Sequence, residues 1–163
     1  MTRVVILGPG GAGKSTLARR LGVRLDVPVV ELDHHFWSPD LQPMSKEEWR
    51  TVQAGLTEPG GWIMDGDLGP YDVVQPRLQR ADTVVVLDFA RWRCVWRSLR
   101  RSHQRLDFWR WLWTWRTKSR PQLLSAIATY AGQAEIKVLR SPAAVEQWLS
   151  EIKSNQQTGS EPG

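Results

Sequence analysis

A chain of 163 residues, 41% hydrophobic and 24% charged, is long enough for one domain with its own core, and its composition suggests neither a disordered nor a membrane-spanning protein. Its formal charge of +5 is concentrated: residues 91–120 hold ten Lys or Arg against one acid, Asp107, while the rest carries twelve basic and sixteen acidic residues. Basicity of that kind belongs to a segment and does not mark the whole domain as a nucleic-acid binder. A lone cysteine, Cys94, makes no internal disulfide, and the start of the chain lacks the apolar core of an export signal, so a cytoplasmic location is expected.

In chain order, Val4 to Leu7 is a short β-branched run that ends in glycines, and Lys14 to Leu25 spaces Leu17, Leu21 and Leu25 on one helical face. This predicts strand, loop, helix. Pro28 to Leu32 reads as a second buried strand closed by Asp33, and Ser45 with Glu48 forms a capping box that opens a helix toward Leu56. Trp62 to Met64, ending at Asp65, and Thr83 to Leu87, ending at Asp88, are further apolar strands of the kind covered on both faces. Ile136 to Leu139 gives a fifth, and Ser141-Pro142 caps and starts a last helix through Trp148. The tail, residues 154–163, has nothing apolar to bury and is expected to be disordered, which leaves 1–153 as the domain. Alternation of strands and helices predicts an α/β sandwich with a parallel sheet and a ligand site at the carboxyl ends of the strands.

The chemistry starts at Gly8-Pro9-Gly10-Gly11-Ala12-Gly13-Lys14-Ser15, a Walker A pattern lying between a predicted strand and a predicted helix. Glycines let backbone N–H groups curl around phosphate oxygens, and the helix adds its positive end. Lys14 is then placed for the β and γ phosphates of a nucleoside triphosphate, Ser15 for magnesium and Thr16 for the α phosphate. Asp65 and Asp88 compete for the role of the strand-end acid that holds magnesium through water; Gly66, which lets a substrate approach, favours Asp65. Asp33 is either the base or hydroxyl anchor of an acceptor or a simple turn aspartate. His34 and His35 lack the spacing and partners of a zinc site and read as pocket wall or surface.

Residues 91–120 have three readings. Trp92, Trp96 and Leu99 share a helical face, so the segment can be an ordinary helix with solvated arginines. It can be an arginine-bearing lid over transferring phosphates. Its six interleaved tryptophans can also make a membrane-surface or nucleic-acid patch, or simply a core.

The Walker A segment together with Leu32-Asp33, Phe36-Trp37, Asp65-Gly66, Arg80-Ala81-Asp82 and Leu139-Arg140-Ser141-Pro142 resembles the bacterial P-loop proteins known as topology modulation proteins, relatives of adenylate and shikimate kinases. The resemblance runs from Arg3 to about Trp148. It implies a five-stranded parallel sheet in the order 2-3-1-4-5 with a short helical lid, ATP and Mg2+ as cofactors, and phosphoryl transfer to a small-molecule or nucleotide acceptor. By the same resemblance Arg97 and Arg101 match lid-base arginines, Arg116 and Arg120 are later lid arginines, and Arg140 lies near the adenine. Two departures matter. Asp67-Leu68 stands where the family usually has Asn-Tyr, which disfavours an anionic acceptor, and the stretch after Arg101 is short for a lid. The arginine that adenylate kinases carry after the Asp-Gly pair is missing, with Arg77 the nearest substitute, so a strict adenylate kinase is not expected. The alternative is an ATP-binding module that engages nucleic acid or membrane through the basic segment.

Overall fold

The computed structural model describes residues 1–38, 40, 42–90 and 115–158, without the side chains of 116 and 153–158. Five strands, β1 (Arg3–Leu7), β2 (Val29–Glu31), β3 (Trp62–Asp65), β4 (Thr83–Leu87) and β5 (Glu135–Leu139), form one sheet in the order β2-β3-β1-β4-β5. Every pair is parallel, as the apolar runs and the resemblance both predict. β1 sits in the middle with Val4 to Leu7 fully buried, because helices cover it on both faces.

On one face α1 (Lys14–Leu25) packs Leu17, Ala18 and Leu21 against the sheet, joined by Trp148 and Leu149 of the last helix, α6 (Pro142–Thr158). The opposite face is covered by α2 (Leu32–Phe36), α3 (Lys46–Leu56), α4 (Gln75–Arg80) and α5 (Arg120–Tyr130), with Phe36, Trp49, Leu78 and Ile127 in its core. A π-helical turn, Trp115–Ser119, leads into α5 and buries Trp115 in the same core.

The local signals hold where the chain supplies its own partners. Ser45 accepts from the Glu48 N–H while Glu48 accepts from the Ser45 N–H and hydroxyl, so the capping box forms. The Ser141 hydroxyl accepts from Ala144 N–H and caps α6 as expected.

Two boundaries differ from the sequence reading. β2 stops at Glu31, whose register partner is Asp65, the last residue of β3; with no partner strand beyond, Leu32 and Asp33 turn into a short helix instead. α6 runs past Trp148 to Thr158, so residues 154–158 of the expected tail continue the helix, while 159–163 lie outside the described residues. Adding residues to an already nucleated helix costs little, even without an apolar face.

Candidate functional site

The carboxyl edge of the sheet gathers the loop after β1, Asp65 at the end of β3 and Asp88 just past β4. Asp65 lies beside Ile6 in register, two residues before Gly8. Gly8 has φ 144°, and a Cβ there would sit 2.6 Å from the Leu87 carbonyl oxygen, so the position admits no other residue without a shift of the backbone. Gly11 and Gly13 are also left-handed, at φ 75° and 94°, and the Ala12 N–H closes a turn onto the Pro9 carbonyl at 3.2 Å. No side chain caps the start of α1 and no acid occupies its first turn, which leaves its positive end open to an anion. The Lys14 ammonium donates to the carbonyls of Gly8 at 3.0 Å and Pro9 at 3.3 Å. Those are contacts an arriving phosphate can replace. Ala12 is buried, Ser15 half-buried and Thr16 exposed, all within reach of that first turn.

Asp65 is 5% exposed, and its Oδ1 has no hydrogen-bond partner among the described residues. A buried carboxylate oxygen left without a donor is costly, and a hard cation or its water is the partner that fits it. Asp88 is differently placed. Its Oδ2 accepts from two nitrogens of Arg120, both at 3.1 Å, and its N–H donates to the Leu139 carbonyl. Arg120, expected as a lid arginine, therefore fastens the start of α5 to the end of β4. Asp33, exposed at the start of α2, has its carboxyl pushed up by the partial loss of water around it; Lys14 opposes the shift and Asp65 reinforces it. Lys14, Asp33 and Asp65 thus share one electrostatic neighbourhood.

The loop after β3 carries residues whose role the sequence did not reveal. Gly66 turns with φ 154° against Leu32, where a Cβ would lie 2.9 Å from the leucine Cβ. Asp67 accepts from Gly69 N–H at 3.0 Å and from the Trp115 indole at 3.1 Å. Burial pushes its carboxyl up, against the attraction of Lys14. Asp72 is held below the ordinary carboxylate range: the Arg77 charge and hydrogen bonds, with donors from Trp49 and Leu68, overcome the effect of burial. The Arg77 guanidinium, with no exposed surface, donates to both Asp72 oxygens at 2.9 and 2.5 Å, to Gln53 Oε1 at 2.5 Å and to the Gly66 carbonyl at 3.5 Å. Arg77 is a clamp on this loop, not a substitute for a substrate-binding arginine. Phe36, Trp37, Trp49 and Tyr71 stack edge-on or tilted beside it at centroid separations of 4.9 to 6.2 Å.

His34 and His35 are exposed, with His34 3.9 Å from Glu31. Arg140 is exposed between β5 and α6, at the same edge of the sheet as Gly8. Arg97, Arg101 and the rest of 91–114 lie outside the described residues, as does the side chain of Arg116. Trp115 alone of the six tryptophans in the basic segment is described, and it is core.

No family model matches the chain. Over 84 residues, half of this chain and 41% of the relative, it is 34% identical to an adenylate kinase from Kocuria rhizophila; an adenylate kinase from Mycobacterium leprae is 35% identical over 86 residues, 42% of its length. The chain thus matches less than half the length of these curated relatives. Solved structures align over nearly everything: shikimate kinase from Acinetobacter baumannii, in complex with shikimate, at TM-score 0.63 and 16% identity over 99% of this chain and 96% of that one. Shikimate kinase from Bacteroides thetaiotaomicron aligns at TM-score 0.60 and 16% identity, over 96% and 98%. The chain has the fold of the P-loop kinases it aligns with, and over half of its length its sequence is similar to adenylate kinases. In this P-loop kinase-like fold the loop after β1, the Asp65 carboxylate and the Asp33 helix meet at one sheet edge, the edge at which open α/β sheets bind their ligands.

Proposed function

We propose that the protein is an ATP-dependent kinase that transfers the γ-phosphoryl of ATP to a hydroxyl-bearing small molecule or nucleotide. The supporting observation is the grouping of the open α1 N-terminus and Lys14 with Asp33 and Asp65 around one sheet edge. In this reading the amides of Gly8, Gly10, Gly11, Ala12 and Gly13 wrap the phosphates, Lys14 leaves the loop carbonyls for the β and γ oxygens, and Thr16 meets the α phosphate. Ser15 and, through water, Asp65 hold Mg2+, which neutralises phosphate charge when bound; the unpartnered Asp65 Oδ1 is what fits these residues to the ion. Asp33 orients the acceptor hydroxyl and takes its proton, a task made easier by a carboxyl raised above its ordinary range. Arg97 and Arg101 complete the charge neutralisation from the lid, and Arg140 flanks the adenine. The narrower likeness to topology modulation proteins rests on the sequence motifs.

The test is phosphoryl transfer from γ-labelled ATP with magnesium across nucleosides, nucleoside monophosphates and polyols. Label in an acceptor, lost in Lys14→Ala, is the expected result; full turnover by Lys14→Ala would overturn the reading. The charge concentrated in residues 91–120 favours a second reading, an ATP-binding module docked on a polyanion through that segment. ATP binding without any labelled acceptor, together with steeply salt-dependent binding to nucleic acid or anionic vesicles, would replace the first reading with the second.

A further inference from the structure

Resting on the kinase reading above, we infer that the acceptor is a polyhydroxyl compound without negative charge, neutral or amine-bearing, held between the carboxylates of Asp33 and Asp67 and the Trp37–Tyr71 aromatic wall. Carboxylate and phosphate substrates are held by guanidinium forks or free ammonium groups. At this end of the sheet Arg77 and Arg120 are committed to carboxylates, and in the reading above Arg140, exposed at the same edge, flanks the adenine. Arg77 is fully buried with its two terminal nitrogens on Asp72, Gln53 and Gly66, and Arg120 is paired with Asp88 Oδ2. Lys14 belongs to the phosphates of ATP.

Against these stand Asp33 and Asp67. Asp67 accepts two N–H bonds in the structure, from Gly69 and Trp115, and a carboxylate has room for about two more donors. Hydroxyl and ammonium hydrogens fill such positions; an anion cannot. Trp37 follows the Asp33 helix and Tyr71 follows the Asp67 loop, with rings 6.1 Å apart and Tyr71 48% exposed. An aromatic pair built by the two segments that carry these carboxylates suits the C–H face of a sugar ring or an ammonium group.

The experiment uses the full chain, γ-labelled ATP and magnesium with acceptors matched in framework and differing in charge: hexose, aminohexose and hexonate, and nucleoside against nucleoside monophosphate. Neutral or amine members are expected to exceed their anionic counterparts in kcat/KM by about tenfold or more, with the difference lying mainly in KM. Asp67→Asn, in which an amide oxygen can still accept from Trp115, is expected to cut that discrimination by about threefold or more while remaining folded by thermal unfolding. Tyr71→Ala should lower kcat/KM for neutral and anionic members alike and leave their ratio unchanged. An anionic acceptor used as well as or better than its neutral partner, or a ratio untouched in folded Asp67→Asn, overturns the inference and leaves the kinase reading standing. Label in no acceptor at all fails the kinase reading, and this inference falls with it.

Discussion

Arg77→Met keeps most of the side-chain volume but removes a guanidinium with no exposed surface, leaving Asp72, whose side chain is 3% exposed, charged and short of two of its donors. Trp49 and Leu68 still donate to that carboxylate, while Gln53 Oε1 and the Gly66 carbonyl lose theirs. Breaking one half of a buried pair costs about 3–5 kcal/mol, several times the value of a surface pair. For a chain of this size that corresponds to a fall in melting temperature of about 6–20 °C. Urea unfolding of the wild type, Arg77→Met, Asp72→Leu and the double variant measures it, with the double expected to fall short of the sum of the singles by about 1–3 kcal/mol. Because the pair ties Gly66 to Asp72, the loop bearing Asp67, acceptor KM should rise in the single variants more than ATP KM. A loss of less than about 1 kcal/mol in Arg77→Met, the range of an exposed pair, would refute the clamp.

Gly8→Ala should abolish ATP binding as read by calorimetry, because its Cβ would collide with the Leu87 carbonyl at a left-handed φ. Asp65→Asn should raise the magnesium concentration needed for half-maximal turnover, whereas Asp88→Asn should chiefly lower the melting temperature by loosening Arg120; the reverse pattern would exchange their roles. Stability should peak at mildly acidic pH. Asp67 and Asp33, raised in the fold, bind more protons folded than unfolded, so stability grows as pH falls through their folded values toward the ordinary carboxylate range near about pH 4. Asp72, lowered in the fold, adds stability above about pH 4, its unfolded range, that is lost as pH falls through its folded value. Asp67→Asn should flatten the acidic rise in melting temperature and leave the loss at lower pH in place.

The sheet and the phosphate loop were legible because their signals are local. Val4 to Leu7 followed by glycines needs only its neighbours to be read as a buried strand running into a phosphate loop, and Ser45 with Glu48 carries its own helix start. Asp33 was misplaced by one element because the length of β2 is fixed by its partner: β3 ends at Asp65, and Gly66 turns away against Leu32. That Asp88 and not Asp65 is salt-bridged likewise depends on a residue 32 positions away, Arg120.

The proposed acceptor end was legible only as an odd residue, Asp67 where the resemblance leads to an amide. Its meaning depends on contacts 23, 24 and 48 residues apart in sequence, Trp49 to Asp72, Gln53 to Arg77 and Asp67 to Trp115. In the sequence Arg77 reads as the nearest substitute for the arginine that adenylate kinases carry after the Asp-Gly pair; in the fold Asp72 and Gln53 hold it. The charge balance presented to an acceptor is therefore set by which charges are already paired, a property no count along the chain contains. The basic excess of residues 91–120 and the acidic end around Asp67 are for the same reason separate facts: in the proposed function one bears on phosphates or polyanions, the other on the hydroxyl compound that would receive the phosphoryl group.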